Sequence, residues 1–145
     1  MMDAAKILLA DDDPEDRMIM AESFSEMELT HWIHFVENGE KVLTYLDDII
    51  ADEFLPTLVV LDLNMPRMNG TQTLKALKNN PRYKHIPVII FSTSVNTIEM
   101  QECLKIGAMS YVVKPVTYRD CLDTAKSFYD TSAGINSKSG NSAAS

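Results

Sequence analysis

Four places in the chain carry residues able to do chemistry together: the run Asp11-Asp12-Asp13, then Asp62, Ser92 and Lys114. Carboxylates held close repel one another, and a hard divalent cation relieves that repulsion. Mg2+ takes oxygen ligands in octahedral geometry, keeps several waters and needs only one or two carboxylates plus phosphate oxygens. Asp12 and Asp62 could supply such ligands, and Asp11 could bind directly or through water. An aspartate carboxylate can also attack phosphorus and form an acyl phosphate. The group in transfer then needs its charge neutralised. The cation serves one oxygen, the Lys114 ammonium another, and the Ser92 hydroxyl can donate to a third. Singly these residues say little: an Asp after a strand can simply start a turn, as can a Lys before proline or a Ser after a strand. In this order, at successive strand ends, they make a constellation.

The elements that must position them follow from the apolar patterning. Leu58-Val59-Val60-Leu61 is an unbroken apolar run that reads as a strand buried on both faces, as in a parallel sheet under helices. Asp62 closes it, at the carboxyl edge where open α/β sheets place their ligands. Lys6 to Ala10 reads as a first strand ending on the three acids. Asp13 before Pro14 suits a helix N-cap with proline at the first helical position, and Glu15 and Asp16 suit the dipole of the first turn. Met20, Phe24 and Met27 continue that helix as a stripe. His31 to Val36 reads as a second strand. Val42, Leu46, Ile49 and Ile50 form the stripe of a second helix. Leu74 and Leu77 mark a third, ended by Asn79-Asn80-Pro81. Pro87 to Phe91 is a fourth strand running into Ser92-Thr93-Ser94. Asn96 with Glu99 predicts a capping box for a fourth helix that stops at Gly107. Tyr111 to Val113 is a fifth strand ending on Lys114-Pro115. Thr117 caps a fifth helix carrying Tyr118, Cys121, Leu122, Ala125, Phe128 and Tyr129. From Thr131 the composition turns to Ser, Gly, Asn and Ala, so residues 131–145 read as a flexible tail after a domain spanning 5–130. Five strands alternating with five helices imply an α/β fold: a doubly wound parallel sheet with helices on both faces.

The 145 residues suit one domain, with 46% hydrophobic and 23% charged residues. A net charge of -8 argues against a nucleic-acid surface, where a basic patch is expected. Cys103 and Cys121 form no CxxC and read as packed thiols. His31, His34 and His85 lack metal-ligand spacing. No leader-like h-region and no apolar run of bilayer length appears, so the expected location is cytoplasmic, with no membrane partner.

Four motifs carry a resemblance. They are Ile7-Leu8-Leu9-Ala10-Asp11-Asp12-Asp13; Val60-Leu61-Asp62-Leu63-Asn64-Met65-Pro66 with Asn69-Gly70; Pro87-Val88-Ile89-Ile90-Phe91-Ser92; and Gly107 through Pro115. Together they resemble the receiver domain of two-component response regulators, over about residues 5–130. The resemblance implies a flavodoxin-like sheet of order 2-1-3-4-5. It implies that Asp62 is the phosphoacceptor, and that Asp11, Asp12, Asp62 and the backbone carbonyl of Asn64 hold Mg2+. Ser92 and Tyr111 stand where the family has its switch residues, and Lys114 where it contacts the phosphoryl group. Lys114-Pro115 would be a cis peptide, as proline permits. The partners implied are a sensor histidine kinase and a downstream protein target or phosphotransfer protein. The kinase would be met through the first helix, around Arg17 to Phe24, and the loop after Lys114. The chain would be a monomer, or a homodimer through the face of helix 4, strand 5 and helix 5. Asp13-Pro14-Glu15-Asp16, His85-Ile86-Pro87 and Ser92-Thr93-Ser94 are similar to stand-alone regulators paired with phytochrome-type histidine kinases. Asp13 is an extra acid beside the pair, Thr93 a second hydroxyl beside Ser92, and the spacing from Pro87 favours Ser92.

Two other readings compete. A Mg2+-dependent phosphohydrolase with an aspartate nucleophile uses similar chemistry, but such enzymes resemble a pattern with a second acid two residues on, where this chain has Asn64. A scaffold that kept the fold without phosphorylation is the third, and the full set of acids, Ser92 and Lys114 speaks against it.

Overall fold

The computed structural model describes residues 4–135. Its strands are β1 (Ile7–Ala10), β2 (Ile33–Val36), β3 (Leu58–Leu61), β4 (Val88–Ser92) and β5 (Ser110–Val113). Its helices are α1 (Pro14–Glu26), α2 (Gly39–Asp47), α3 (Gly70–Lys78), α4 (Thr97–Ile106) and α5 (Tyr118–Ala133). The sheet has the order β2-β1-β3-β4-β5, and every pairing is parallel. This is the doubly wound receiver fold expected from the motifs.

The unbroken apolar strands are explained by which way their side chains point. Successive strand residues face opposite sides of the sheet. Leu8, Ala10, Val59, Leu61, Val88 and Ile90 pack with α2, α3 and α4, through Val42, Leu46, Leu74, Leu77 and Cys103. Ile7, Leu9, Leu58, Val60, Ile89 and Phe91 pack with α1 and α5, through Met20, Phe24, Ala125 and Phe128. Both faces are covered, so neither alternation nor polar positions survive in β1 and β3. The edge strand β5 is only half-buried.

Several expectations are corrected. The second strand starts at Ile33, because Thr30–Trp32 form a 3-10 turn. The stripe of the second helix stops short: α2 ends at Asp47, and Ile50 lies exposed beyond it. Ser92 is the last residue of β4 and not the start of a loop. Asn96 caps α4 through the N–H groups of Ile98 and Glu99, but the Glu99 carboxylate accepts from the Ser94 hydroxyl and does not return to the cap. The reciprocal capping box sits instead at Asn69 and Gln72, opening α3. The helix α5 runs past the expected domain end at residue 130. Thr131, Ser132 and Ala133 are helical, and Gly134 closes the helix at φ 74°. Ser132 is buried there, so its small polar side chain belongs to the packed fold. The rest of the predicted tail, 136–145, lies outside the described residues. No peptide among the described residues is cis, so Lys114-Pro115 is trans. Trans is the intrinsically favoured form by about 0.5–1 kcal/mol at X-Pro bonds, and Lys114 reaches its partners in it. No helix among the described residues is long and apolar enough to cross a membrane.

Candidate functional site

Register brings the predicted residues together. Ala10 pairs with both Val36 and Leu61. The next residues continue those ladders: Asp11 N–H donates to the Val36 carbonyl at 3.0 Å, and Asp62 N–H to the Ala10 carbonyl at 3.0 Å. Asp11 and Asp62 therefore leave adjacent strands at one level. Ser92 pairs with Val113 across β4 and β5. Lys114 follows directly, and its N–H donates to the Ser92 carbonyl at 2.8 Å.

The centre of the site is the Lys114 ammonium. It donates to Asp11 Oδ2 at 2.7 Å, Asp16 Oδ2 at 2.8 Å and Asp62 Oδ2 at 3.0 Å. Its stem runs beside Phe91, with Nζ 5.8 Å from the ring centroid. Asp11 is further fixed by the Asp13 N–H on Oδ1 at 2.9 Å and by Arg17, whose guanidinium donates to the Asp11 carbonyl at 2.7 Å. Burial pushes the Asp11 carboxyl above its ordinary value, and the Lys114 and Asp13 hydrogen bonds offset this only in part. For Lys114 burial acts downward, but the hydrogen bonds to Asp11 and Asp16 outweigh it and hold the ammonium protonated well above its ordinary range.

One oxygen each from Asp11, Asp12 and Asp62 lie within 4.8 Å of one another. This is an all-oxygen, multiply anionic donor set, open to solvent at Asp12. It fits a hard divalent cation and offers nothing to a soft one. The Asn64 carbonyl accepts no backbone hydrogen bond among the described residues and is free to join the set. The loop that carries it is tightly constrained: a Cβ on Gly70 would lie 2.2 Å from the Asp62 carbonyl oxygen. Only glycine lets α3 begin that close to the site.

Ser92 and Tyr111 converge on one residue. The fully buried Ser92 hydroxyl accepts from the Ser94 N–H at 3.2 Å, and the Tyr111 hydroxyl donates to the Ser94 carbonyl at 2.9 Å. The Ser92 hydroxyl bonds neither the Lys114 ammonium nor a carboxylate among the described residues. Asp13 stands aside as the N-cap of α1, and His34 stacks on Tyr45 at 4.4 Å.

Sequence reasoning missed Asp16, which it assigned to the helix dipole alone. A signal existed. Asp16 precedes the buried Met20 and Phe24 at four-residue spacing, so it had to face the sheet.

A doubly wound α/β domain with acids and a lysine gathered at its carboxyl edge is what the fold and site define. Residues 7–126 match the family described as the response regulator receiver domain, and the chain belongs to it. Chemotaxis protein CheY1 of Helicobacter pylori is 33% identical over 115 residues, covering 77% of this chain and 86% of that protein. The phosphorylated cyanobacterial phytochrome response regulator RcpA superposes with a TM-score of 0.80 at 25% identity, covering 92% of this chain and 97% of that one. The Mn2+-bound form of response regulator Rcp1 superposes with a TM-score of 0.73 at 25% identity, covering 86% and 91%. The cluster of Asp11, Asp12 and Asp62 is an acidic pocket of the kind in which receiver domains bind a divalent cation.

Proposed function

We propose that the chain acts as a response regulator that accepts a phosphoryl group from a histidine kinase on Asp62. The observation that carries this reading is the Lys114 ammonium bridging Asp11 and Asp62 at adjacent strand ends. In the reaction a carboxylate oxygen of Asp62 bonds to phosphorus as the donor's bond to phosphorus breaks, its electron pair leaving with the imidazole of the kinase or, in vitro, with acetate. Asp11, Asp12, Asp62 and the Asn64 carbonyl would hold Mg2+, which when bound supplies charge neutralisation at phosphorus. Lys114 keeps one donor on Asp62 and follows the negative charge as it moves onto the phosphoryl oxygens. Ser92 leaves the Ser94 N–H to donate to the phosphoryl group, and Tyr111 loses its hold on the same residue. The β4–α4 loop is then released, which reshapes the face of α4, β5 and α5. That face exposes Ile98, Leu104 and Val113 to a downstream protein, a phosphotransfer protein or a second copy. Phosphorylation can shift this equilibrium only by the contacts it makes differently in the two states. The likeness to the phytochrome response regulator RcpA supports a phytochrome-type kinase as donor. That kinase would be met in the cytoplasm, through α1 and the loop after Lys114.

The test is intact mass after incubation with Mg2+ and acetyl phosphate, beside Asp62→Asn. One added phosphoryl group in the wild type alone, absent with a chelator, is the expected result. No uptake from acetyl phosphate or from histidine kinases would overturn it in favour of a scaffold. Continuous turnover of a small phosphate ester would favour the phosphohydrolase.

A further inference from the structure

An ammonium has three N–H donors and no acceptor. All three donors of Lys114 are engaged by carboxylates, and two of those carboxylates belong to the reaction. Asp62 becomes an acyl phosphate, and Asp11 turns an oxygen to the cation. Asp16 lies outside the cation cluster of Asp11, Asp12 and Asp62. It is the one acceptor that neither cation nor phosphoryl group claims.

Its placement suits a fixed post. Asp16 sits in the first turn of α1, where the dipole favours a carboxylate and where Asp13 and Pro14 set the start of the helix. Its side chain is 34% exposed, against 3% for Asp11 and 10% for Asp62. A partly hydrated carboxylate is paired at small desolvation cost, whereas another fully buried acid would add to the repulsion in the cluster. Lys114 itself is 10% exposed. Without Asp16, its four-carbon stem would hold the ammonium in the loaded site by the phosphoryl group alone.

Resting on the reading of Asp62 as acceptor, we propose that Asp16 is a positioning residue for phosphoryl transfer: it holds the Lys114 ammonium over Asp62 when Asp11 and Asp62 turn to cation and phosphoryl group. It touches no reacting atom and acts only through Lys114.

The test compares the wild type with Asp16→Asn and Asp16→Glu, each also in a Lys114→Met background. Uptake from acetyl phosphate is followed at saturating Mg2+ by intact mass. The 15N resonance of the Lys114 ammonium is followed in the metal-free protein. Asp16→Asn slows uptake about fivefold, the size of a partly exposed ion pair lost only from the transfer step. Asp16→Glu restores most of that rate. The Lys114 resonance broadens in Asp16→Asn as the ammonium exchanges faster with water, and the thermal midpoint stays at the wild-type value. In the Lys114→Met background Asp16→Asn changes nothing further. Uptake at the wild-type rate in Asp16→Asn, or an equal loss with and without Lys114, overturns the proposal. A wild type that takes up no phosphate overturns the reading of Asp62 instead. In that case an unchanged Lys114 resonance in Asp16→Asn would overturn the role of Asp16 as well.

Discussion

The two ends of the sheet solve opposite problems. At the amino end, Trp32 Nε1 donates to the Ser132 hydroxyl at 2.7 Å, and that hydroxyl donates to the Tyr129 carbonyl at 2.8 Å. Thr57 Oγ1 donates to the Ser132 carbonyl at 2.6 Å, while Thr57 N–H reaches Lys6 O and Lys6 N–H reaches Trp32 O. These hydrogen-bonding groups are neutral, and each donor has its acceptor. At the carboxyl end one ammonium serves the carboxylates of Asp11, Asp16 and Asp62, and Asp12 stands beside them. The amino end is matched within the protein and serves stability. The carboxyl end is in negative excess and is completed only by something from outside. A local deficit of this kind marks a site more reliably than any one residue type, because folding alone would select against it.

The comparison is sharpened most by deleting an acid at the carboxyl end. Asp62→Asn abolishes phosphoryl uptake, yet it does not lower the thermal midpoint in metal-free buffer. It removes repulsion among the acids, and Lys114 keeps Asp11 and Asp16. A clear fall in midpoint would break the contrast. Next, Mg2+ added at about one hundred times its dissociation constant stabilises the wild type by about 2.7 kcal/mol, read as a rise in thermal midpoint. Asp62→Asn shows a much smaller rise, and a chelator removes both. At the amino end the signs reverse. Ser132→Ala leaves the Trp32 N–H without its partner and costs about 1–2 kcal/mol in denaturant melts, with uptake unchanged. The smallest effect is in alkali. Lys114 is held above its ordinary value of 10.5, so its stabilising contribution is fully present below that pH. It declines as pH rises through the higher folded value. In Lys114→Met the loss of stability beyond pH 10.5 is shallower; equal slopes would break the assignment.

The sheet and the residues at its carboxyl edge were legible because parallel strands under two helical layers leave continuous apolar runs, and each run ended on a residue of unusual chemistry. What the runs could not show was where elements stop. Trp32 reads as a strand residue by type, but it turns out of the sheet in a 3-10 turn and spends its indole N–H on Ser132, 100 residues away. Ser132 in turn reads as tail by composition, because a serine declares its burial only through a distant partner. Asp16 was hidden for the same reason, since its partner Lys114 lies 98 residues on. Ile49 and Ile50 kept the helical spacing of α2 after the helix had ended, a case where tertiary context outvotes periodicity.

The order of the strands also sets a clock on the ribosome. Asp11 and Asp62 meet as soon as β1 pairs with β3, but their cation comes from the end of β5, 103 residues after Asp11. A nascent chain folding from its amino end therefore holds its acids together before it has the lysine that reconciles them. Translation reaches competence and neutral packing almost in one step, because α5, which begins four residues after Lys114, also brings Ser132 to Trp32. A polypeptide interrupted before residue 114 would hold Asp11 and Asp62 side by side without the ammonium that pairs with both.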